Sequence, residues 1–238
     1  MKTYLLKPEF FHDIRYFEEL IVPNTQNNYY WSDEWSESFY VTLAKLGFIS
    51  TTYDTPEGLV LLPELQFEYG VLDFENLHIS KKVQQLLKKK EYGFSINSRF
   101  NEVLESFEKY HKYNWLKGEY RELLECLYKH NEKHENFRVI SVELVCFQSQ
   151  KLVAGEVGYV IGSTYTSLSG FSLKSKPYNN CGTLQLVLLA QYLQKEGFSF
   201  WNLGHPHMEY KQRLGCTVLS REKFLQRWRK AIQKELKV

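Results

Sequence analysis

Two histidines stand close together in Gly204-His205-Pro206-His207. A neutral imidazole can take up and return a proton near neutral pH, so acid–base chemistry is the first reading of this segment. The competing reading is a turn with two exposed rings. No third ligand-type residue follows at a matching spacing, so a metal site is not expected. Directly downstream, Tyr210-Lys211-Gln212-Arg213-Leu214-Gly215 reads as a helical turn ended by glycine. It places Tyr210 and Lys211 where a substrate carboxylate or phosphate could be held. A third feature is Tyr178-Asn179-Asn180-Cys181-Gly182-Thr183, which leads into an apolar helix. Free amides at that helix start could hold an anion; a plain capped helix is the alternative. A nucleophile elbow, HExxH, a P-loop and GxGxxG are all absent from the sequence.

Cations gather in two places. Lys81, Lys82, Lys88, Lys89 and Lys90 fall within ten residues, and residues 211–238 carry nine cations, Arg227 and Lys230 among them, against Glu222 and Glu235. Such patches can dock a phosphate backbone on a chain that is close to neutral overall. Solvated helix faces are the competing reading.

The elements that must position these groups follow from periodicity. Asn24–Trp35 is a loop. Ser36–Leu46 is a short amphipathic helix stopped by Gly47. Leu59–Leu62 and Phe67–Leu72 read as strands, and a turn at 73–76 marks the expected boundary between a small N-terminal domain (1–75) and a larger domain (76–238). Ser80–Lys90 is a capped helix. Phe94–Ser98 alternates as a strand, and Asn97 or Ser98 could cap a helix running to Phe107. Glu119–Asn131 is a further helix. Val139–Gln148 and Leu152–Ile161 form a hairpin, with Thr164–Phe171 as a third strand. Gly182–Lys195 is helical, Phe198–Leu203 is a strand, and Ser220–Lys234 is a basic terminal helix. Three strands in succession among helices give an α/β (α+β) protein with a mixed sheet rather than a regular βαβ alternation.

Composition agrees. The 238 residues are 43% hydrophobic and 24% charged, which suits a folded chain and excludes wholesale disorder. Thirty basic against 28 acidic residues leave a net charge of +2, which excludes a polycation. Aromatics make up 16%, enough to fill a core and line a cleft. The four cysteines, Cys126, Cys146, Cys181 and Cys216, lack zinc spacing, so no metal is expected. Cys126 and Cys146 fall in helix-like and strand-like runs that suit small buried residues. The N-terminus lacks the long apolar stretch of a signal peptide, and no run is long enough for a membrane span. A soluble cytoplasmic protein that makes no membrane contact is therefore expected, with a monomer as the default.

Several segments, in order, resemble the leucyl/phenylalanyl-tRNA–protein transferases. They are Leu77-His78-Ile79-Ser80-Lys81, Phe94–Leu104, Trp115-Leu116, Ser141-Val142-Glu143-Leu144, Leu152–Gly158, Tyr165–Ser172 and Leu214-Gly215. The resemblance implies a C-terminal domain like the GNAT-type N-acetyltransferases. It also implies transfer of Leu, Phe or Met from aminoacyl-tRNA to the N-terminus of an acceptor protein, which marks that protein for degradation through an N-degron. No cofactor is implied. By position in the family pattern, Trp115, Tyr165, Phe171 and Tyr192 line the pocket for the apolar side chain, and Asn202 and His205 stand by the reacting carbonyl. An aminoacyl ester is already activated, so placing the amine and easing proton transfer can suffice.

The sequence departs from the family at three places. Where bacterial members have Gly-Glu-Ser-Met-Phe-Ser, this chain has Ser167-Leu168-Ser169-Gly170-Phe171-Ser172. Leu168 thus replaces the Glu that would hold a basic N-terminal residue. That removes a preference for Lys or Arg unless Glu143 or Glu156 supplies the carboxylate. Asn202-Leu203-Gly204-His205 replaces Asp-Cys-Gln, with Gly204 or His205 in the Gln place. Leu62-Pro63-Glu64-Leu65 lies at or near the expected Trp-Trp-Ser-Pro. Two other functions stay open at this level. One is an acyltransferase using another donor such as acyl-CoA, against which the missing pyrophosphate loop counts. The other is a tRNA-binding protein without catalysis.

Overall fold

The computed structural model describes residues 3–236. The strands are β1 (Tyr4–Leu5), β2 (Tyr30–Trp31), β3 (Ile49–Thr55), β4 (Gly58–Glu64), β5 (Glu68–Leu72), β6 (Tyr92–Ile96), β7 (Phe137–Cys146), β8 (Leu152–Ile161), β9 (Thr164–Ser172), β10 (Phe200–Gly204) and β11 (Thr217–Ser220). The helices are α1 (Glu37–Lys45), α2 (Lys81–Lys89), α3 (Phe100–Tyr110), α4 (Gly118–Lys129), α5 (Cys181–Lys195), α6 (Glu209–Leu214) and α7 (Arg221–Ala231).

Seven strands form one sheet in the order β11-β5-β10-β9-β8-β7-β6. Neighbours are antiparallel except β9 and β10, which run parallel and are joined by α5. A parallel pair needs a long crossover, and the apolar α5 provides it. The expected mixed sheet packed by helices is what the chain builds. One core holds α5 and Val83 of α2 against the sheet; a second holds α1, α3, α4, α7 and the aromatic N-terminal segment. The N-terminal segment gives β5 to the large sheet, inserted between β10 and β11, and also forms the β3–β4 hairpin.

Local chemistry explains two of the helix starts. The hydroxyl of Ser80 accepts from the Val83 amide at the start of α2, and that of Ser220 from the Lys223 amide at the start of α7. The cap expected of Asn97 or Ser98 is not made. Asn97 adopts a left-handed conformation and its side chain accepts from the Ser141 amide (2.9 Å). The amides of Ser98 and Arg99 turn instead to the buried Glu143 carboxylate (both 3.3 Å), which also accepts from Ser95 and Ser141 hydroxyls. A carboxylate brought by β7 thus serves the start of α3. Cys146 is buried as expected, but Cys126 is exposed because its turn of α4 faces outward.

Candidate active site

The cavity follows from the way β9 and β10 part. They pair from Thr164 to Thr166 against Phe200 to Asn202, and beyond that β9 continues to Ser172 beside β8 alone. The register between β8 and β9 slips at Val157/Gly158 and that between β10 and β5 at Asn202/Gly204, bulges that bend both strands. Gly158 is required there: a Cβ would lie 2.3 Å from the Thr166 carbonyl and 2.5 Å from the Tyr165 hydroxyl. Gly204, at φ +71, turns the chain out of β10. The parted ends bound a cavity of about 560 Å³, lined on the far side by Ile49, Thr51, Glu64 and Gln66 of the N-terminal segment and by Tyr110, His111 and Trp115.

One half of the cavity is apolar, with Trp115, Leu168 and Phe171 on its wall. Phe171 stacks on Tyr110 (5.6 Å between centroids), and Trp115 packs edge-on to Tyr120. The other half is polar. Glu156 projects from β8 opposite Gly170 and is almost wholly buried. Its Oε1 accepts from the Tyr165 hydroxyl (2.7 Å) and the Ser167 hydroxyl (2.8 Å), and its Oε2 from Gln185 Nε2 (3.3 Å). Burial pushes the Glu156 carboxyl above the ordinary carboxylate range, against the pull of those three bonds. Lys211, also buried, donates from Nζ to the carbonyls of Leu203 and His205 (3.0 Å to the latter). Burial pushes its ammonium down to about 8. Tyr210 and His205 complete this side; His205 Nε2 lies 2.9 Å from Glu64 Oε2.

Of the residues singled out in sequence, Trp115, Leu168, Phe171, His205, Tyr210 and Lys211 meet at this cavity. Tyr165 does not line it; its ring is fully buried beside Trp201 and only its hydroxyl reaches Glu156. Tyr192 sits further along α5 against Phe94 (6.0 Å), away from the cavity. Asn202 is buried and its amide is consumed: Oδ1 accepts from the Gly204 amide and Nδ2 donates to Thr166 Oγ1. These bonds shape the end of β10. His207 pairs outward with Glu68 (3.0 Å). Lys211 is not a free cation, since two main-chain carbonyls hold it.

Among the tRNA candidates, Lys81, Lys82, Lys88, Lys89, Lys90 and Lys230 are exposed. Arg227 is not available in the same way: it forms an ion pair with Asp73 and lies 4.3 Å from the Phe200 ring centroid. Of the two carboxylates considered as substitutes for Leu168, Glu156 reaches the cavity, whereas Glu143 is committed to β6 and α3. The sequence reading did not pick out Gln66, Tyr110, His111 or Gln185, and it noted Glu64 only as a departure from pattern. A Glu inside the apolar run Leu61-Leu62-Pro63-Glu64-Leu65 was the available signal, because a charge on a buried strand needs a partner. Among the described residues no group of three or more His, Cys, Asp or Glu side chains could hold a metal, and no helix is long and apolar enough to cross a membrane.

Comparison with known proteins bears on the same segment. The sequence profile of the leucyl/phenylalanyl-tRNA protein transferases matches residues 71–229. A leucyl/phenylalanyl-tRNA–protein transferase of Flavobacterium johnsoniae is 28% identical over 159 residues, covering 65% of this chain and 69% of that protein. One of Lawsonia intracellularis is 29% identical over 157 residues, covering 64% and 63%. The match thus spans about two thirds of the length of these relatives. Among solved structures, FemX (10% identity, 82% of this chain and 70% of that one, TM-score 0.45) and L-PGS from Bacillus licheniformis (13%, 74% and 51%, TM-score 0.42) are similar only at a distance that carries no argument. With well over half of its residues matched, including the cavity-bounding strands β8, β9 and β10, the chain belongs to the leucyl/phenylalanyl-tRNA protein transferase family.

Proposed function

We propose that this protein moves an amino acid of the Leu, Phe or Met type from aminoacyl-tRNA to the N-terminus of an acceptor protein, and so feeds N-degron-linked degradation in the cytoplasm. The observation that carries the reading is the two-sided cavity, most of whose lining lies in the family-matching segment. Its aromatic and aliphatic wall (Trp115, Leu168, Phe171) suits an apolar side chain, and a buried carboxylate, Glu156, stands across from it. The larger part of the chain, 76–238, carries the transferase machinery, and the segment 1–75 supplies the opposing wall through Ile49, Thr51, Glu64 and Gln66. The exposed lysines of α2 are the proposed phosphate-binding face.

Glu156 stands on the strand beside Leu168 and offers the carboxylate that Leu168 lacks. Burial disfavours its charge, and a cationic side chain entering the cavity would restore it. An acceptor beginning with Lys or Arg is therefore the favoured partner. The test is incubation with a pool of charged tRNAs and a panel of peptides that differ at the first residue. Transfer to Lys- and Arg-led peptides is expected, and Glu156→Gln should lower kcat/KM for them by at least about tenfold relative to neutral-led peptides. Equal use of all peptides by both proteins would refute the acceptor assignment. Transfer from an acyl-CoA instead of charged tRNA would refute the donor.

A further inference from the structure

We propose that Glu64 and His205 form the pair that moves the proton in this reaction, with His205 as the catalytic residue and Glu64 as the residue that positions it. The proposal rests on the aminoacyl-transfer reading above. The two side chains come from distant parts of the sequence, one from the end of β4 and the other from the turn after β10. They meet on the same wall of the cavity, with His205 Nε2 at 2.9 Å from Glu64 Oε2.

The environment of Glu64 argues for more than a surface ion pair. Glu64 is 5% exposed. Its Oε1 accepts from Asn28 Nδ2 (2.6 Å), its Oε2 accepts from Gln66 Nε2 (3.3 Å), and the Tyr29 hydroxyl stands beside it. Among the described residues, His205 is the one basic side chain within 4 Å of this carboxylate. The Arg221 guanidinium and the Tyr69 hydroxyl lie further round the same carboxylate and bond main-chain atoms instead. A buried carboxylate held from one side by amides, with an imidazole on the other, orients that ring. The ring nitrogen and the carboxylate oxygen are close but not in line, a geometry that commonly tightens only around bound substrate.

His205 is placed to use this support. Its side chain is 52% exposed, and its Nδ1 has no protein partner among the described residues. Lys211 Nζ donates to the His205 carbonyl (3.0 Å) and so holds the turn that carries the ring. Glu156 and Tyr210 share the cavity with it. Gln66 adds a second sign of a built site: it is 2% exposed, lines the cavity and leaves Oε1 as a buried acceptor without a partner. The Glu64 contact fixes which end of that amide faces the carboxylate.

The step balances without a co-reactant. The acceptor's α-amine nitrogen bonds to the ester carbonyl carbon, and its proton passes to His205. As the intermediate collapses, the bond from that carbon to the tRNA ribose oxygen breaks, and His205 returns the proton to the departing oxygen. The imidazole ends as it began, and Glu64 takes no part in the proton balance.

The test uses the full-length protein, phenylalanyl-tRNA and a Lys-led peptide. His205→Ala should lower kcat by about 100-fold with little change in KM for the tRNA, and added imidazole should restore part of the rate. Glu64→Gln should lower kcat by about tenfold without rescue by imidazole, and Glu64→Asp should fall between it and the parent protein. His207→Ala, on an outward-facing pair, should leave the rate unchanged. If Glu64→Gln fails to fold, His205→Ala and Glu64→Asp still decide the matter. A His205→Ala protein with undiminished kcat overturns the pair while leaving the transfer reading intact. A His205→Ala loss that imidazole cannot relieve assigns the ring to structure and overturns the proposal as well. A parent protein inert with every charged tRNA overturns both.

Discussion

Lys211 gives a prediction that can be worked from its surroundings. It is 6% exposed, on the short helix α6, and burial pushes its ammonium from 10.5 down to about 8, with Cys216 and Glu156 opposing. Below about pH 8 the group is charged in both the folded and the unfolded chain. The folded state then carries a cost of roughly 3 kcal/mol. Between about pH 8 and 10.5 the unfolded chain binds the proton and the folded chain does not, so stability rises with pH in that window. From about pH 7 to about pH 9.5 this group contributes an increase of about 2 kcal/mol. Its bonds to the Leu203 and His205 carbonyls favour the ammonium, which makes that figure an upper value.

Lys211→Met removes the titration while filling similar space. At neutral pH its net effect on stability is small, because relief of the buried charge offsets two carbonyls left unpaired at about 1–3 kcal/mol each. The slope with pH is the diagnostic quantity. Urea unfolding of both proteins from about pH 7 to about pH 9.5 should show the parent gaining up to about 2 kcal/mol on the variant. Buried tyrosines such as Tyr69 and Tyr120, pushed upward by burial, destabilise the fold at high pH, but they are common to both proteins and cancel in the comparison. Parallel curves, with the difference constant to within about 0.5 kcal/mol, would refute the reasoning.

Two further outcomes follow from other parts of the molecule. Neutralising Lys82, Lys88 and Lys89 of α2 to Gln should weaken tRNA binding at moderate salt and flatten the plot of log affinity against log salt by roughly 2–3; folding stability should change by less than about 1 kcal/mol, and an unaltered salt slope would remove α2 from the interface. Arg221, 7% exposed, donates to the carbonyls of Ile21, Val22, Asn24, Leu65 and Gln66, tying the N-terminal segment to α7. Arg221→Met should therefore lower unfolding free energy by at least about 3 kcal/mol, measured in urea, and a loss under about 1 kcal/mol would show that those carbonyls find other donors.

Local patterns were enough to read much of this fold. The helices α1, α2, α4, α5 and α7 declare themselves through period and caps, and the hairpin of β7 and β8 through two apolar runs and a short connector. Those signals reside in neighbouring residues, where rotamer freedom and backbone hydrogen bonding act directly. The ordered segments from Leu77 to Gly215 likewise sufficed for the family. Other features depended on contacts across the chain. Strand β3 is polar and short of pattern, and it forms because β4 returns beside it. Strand β11 is an edge strand paired with β5 alone in the large sheet, and its partly exposed residues carry little apolar signal. Whether an aromatic faces the cavity or the core also escaped the sequence. Tyr165 and Phe171 lie on the same strand, yet the bulge opposite Gly158 changes the alternation between them, so one is core and the other wall.

The site shows the same division. His205 and Lys211 were legible as chemistry-bearing types beside a strand end. Their states were not: Lys211 is tied to main-chain carbonyls, Asn202 is spent on its own turn, and Arg227 is paired with Asp73. The carboxylates that face the cavity are Glu64 and Glu156, set by the insertion of β5 beside β10 and by the pairing of β8 with β9. Residue types and spacing determined which chemistry the chain could attempt and which family it joins. Tertiary structure decided which of those groups are free to act, because burial and the choice of hydrogen-bond partner are properties of strands brought together from distant parts of the chain.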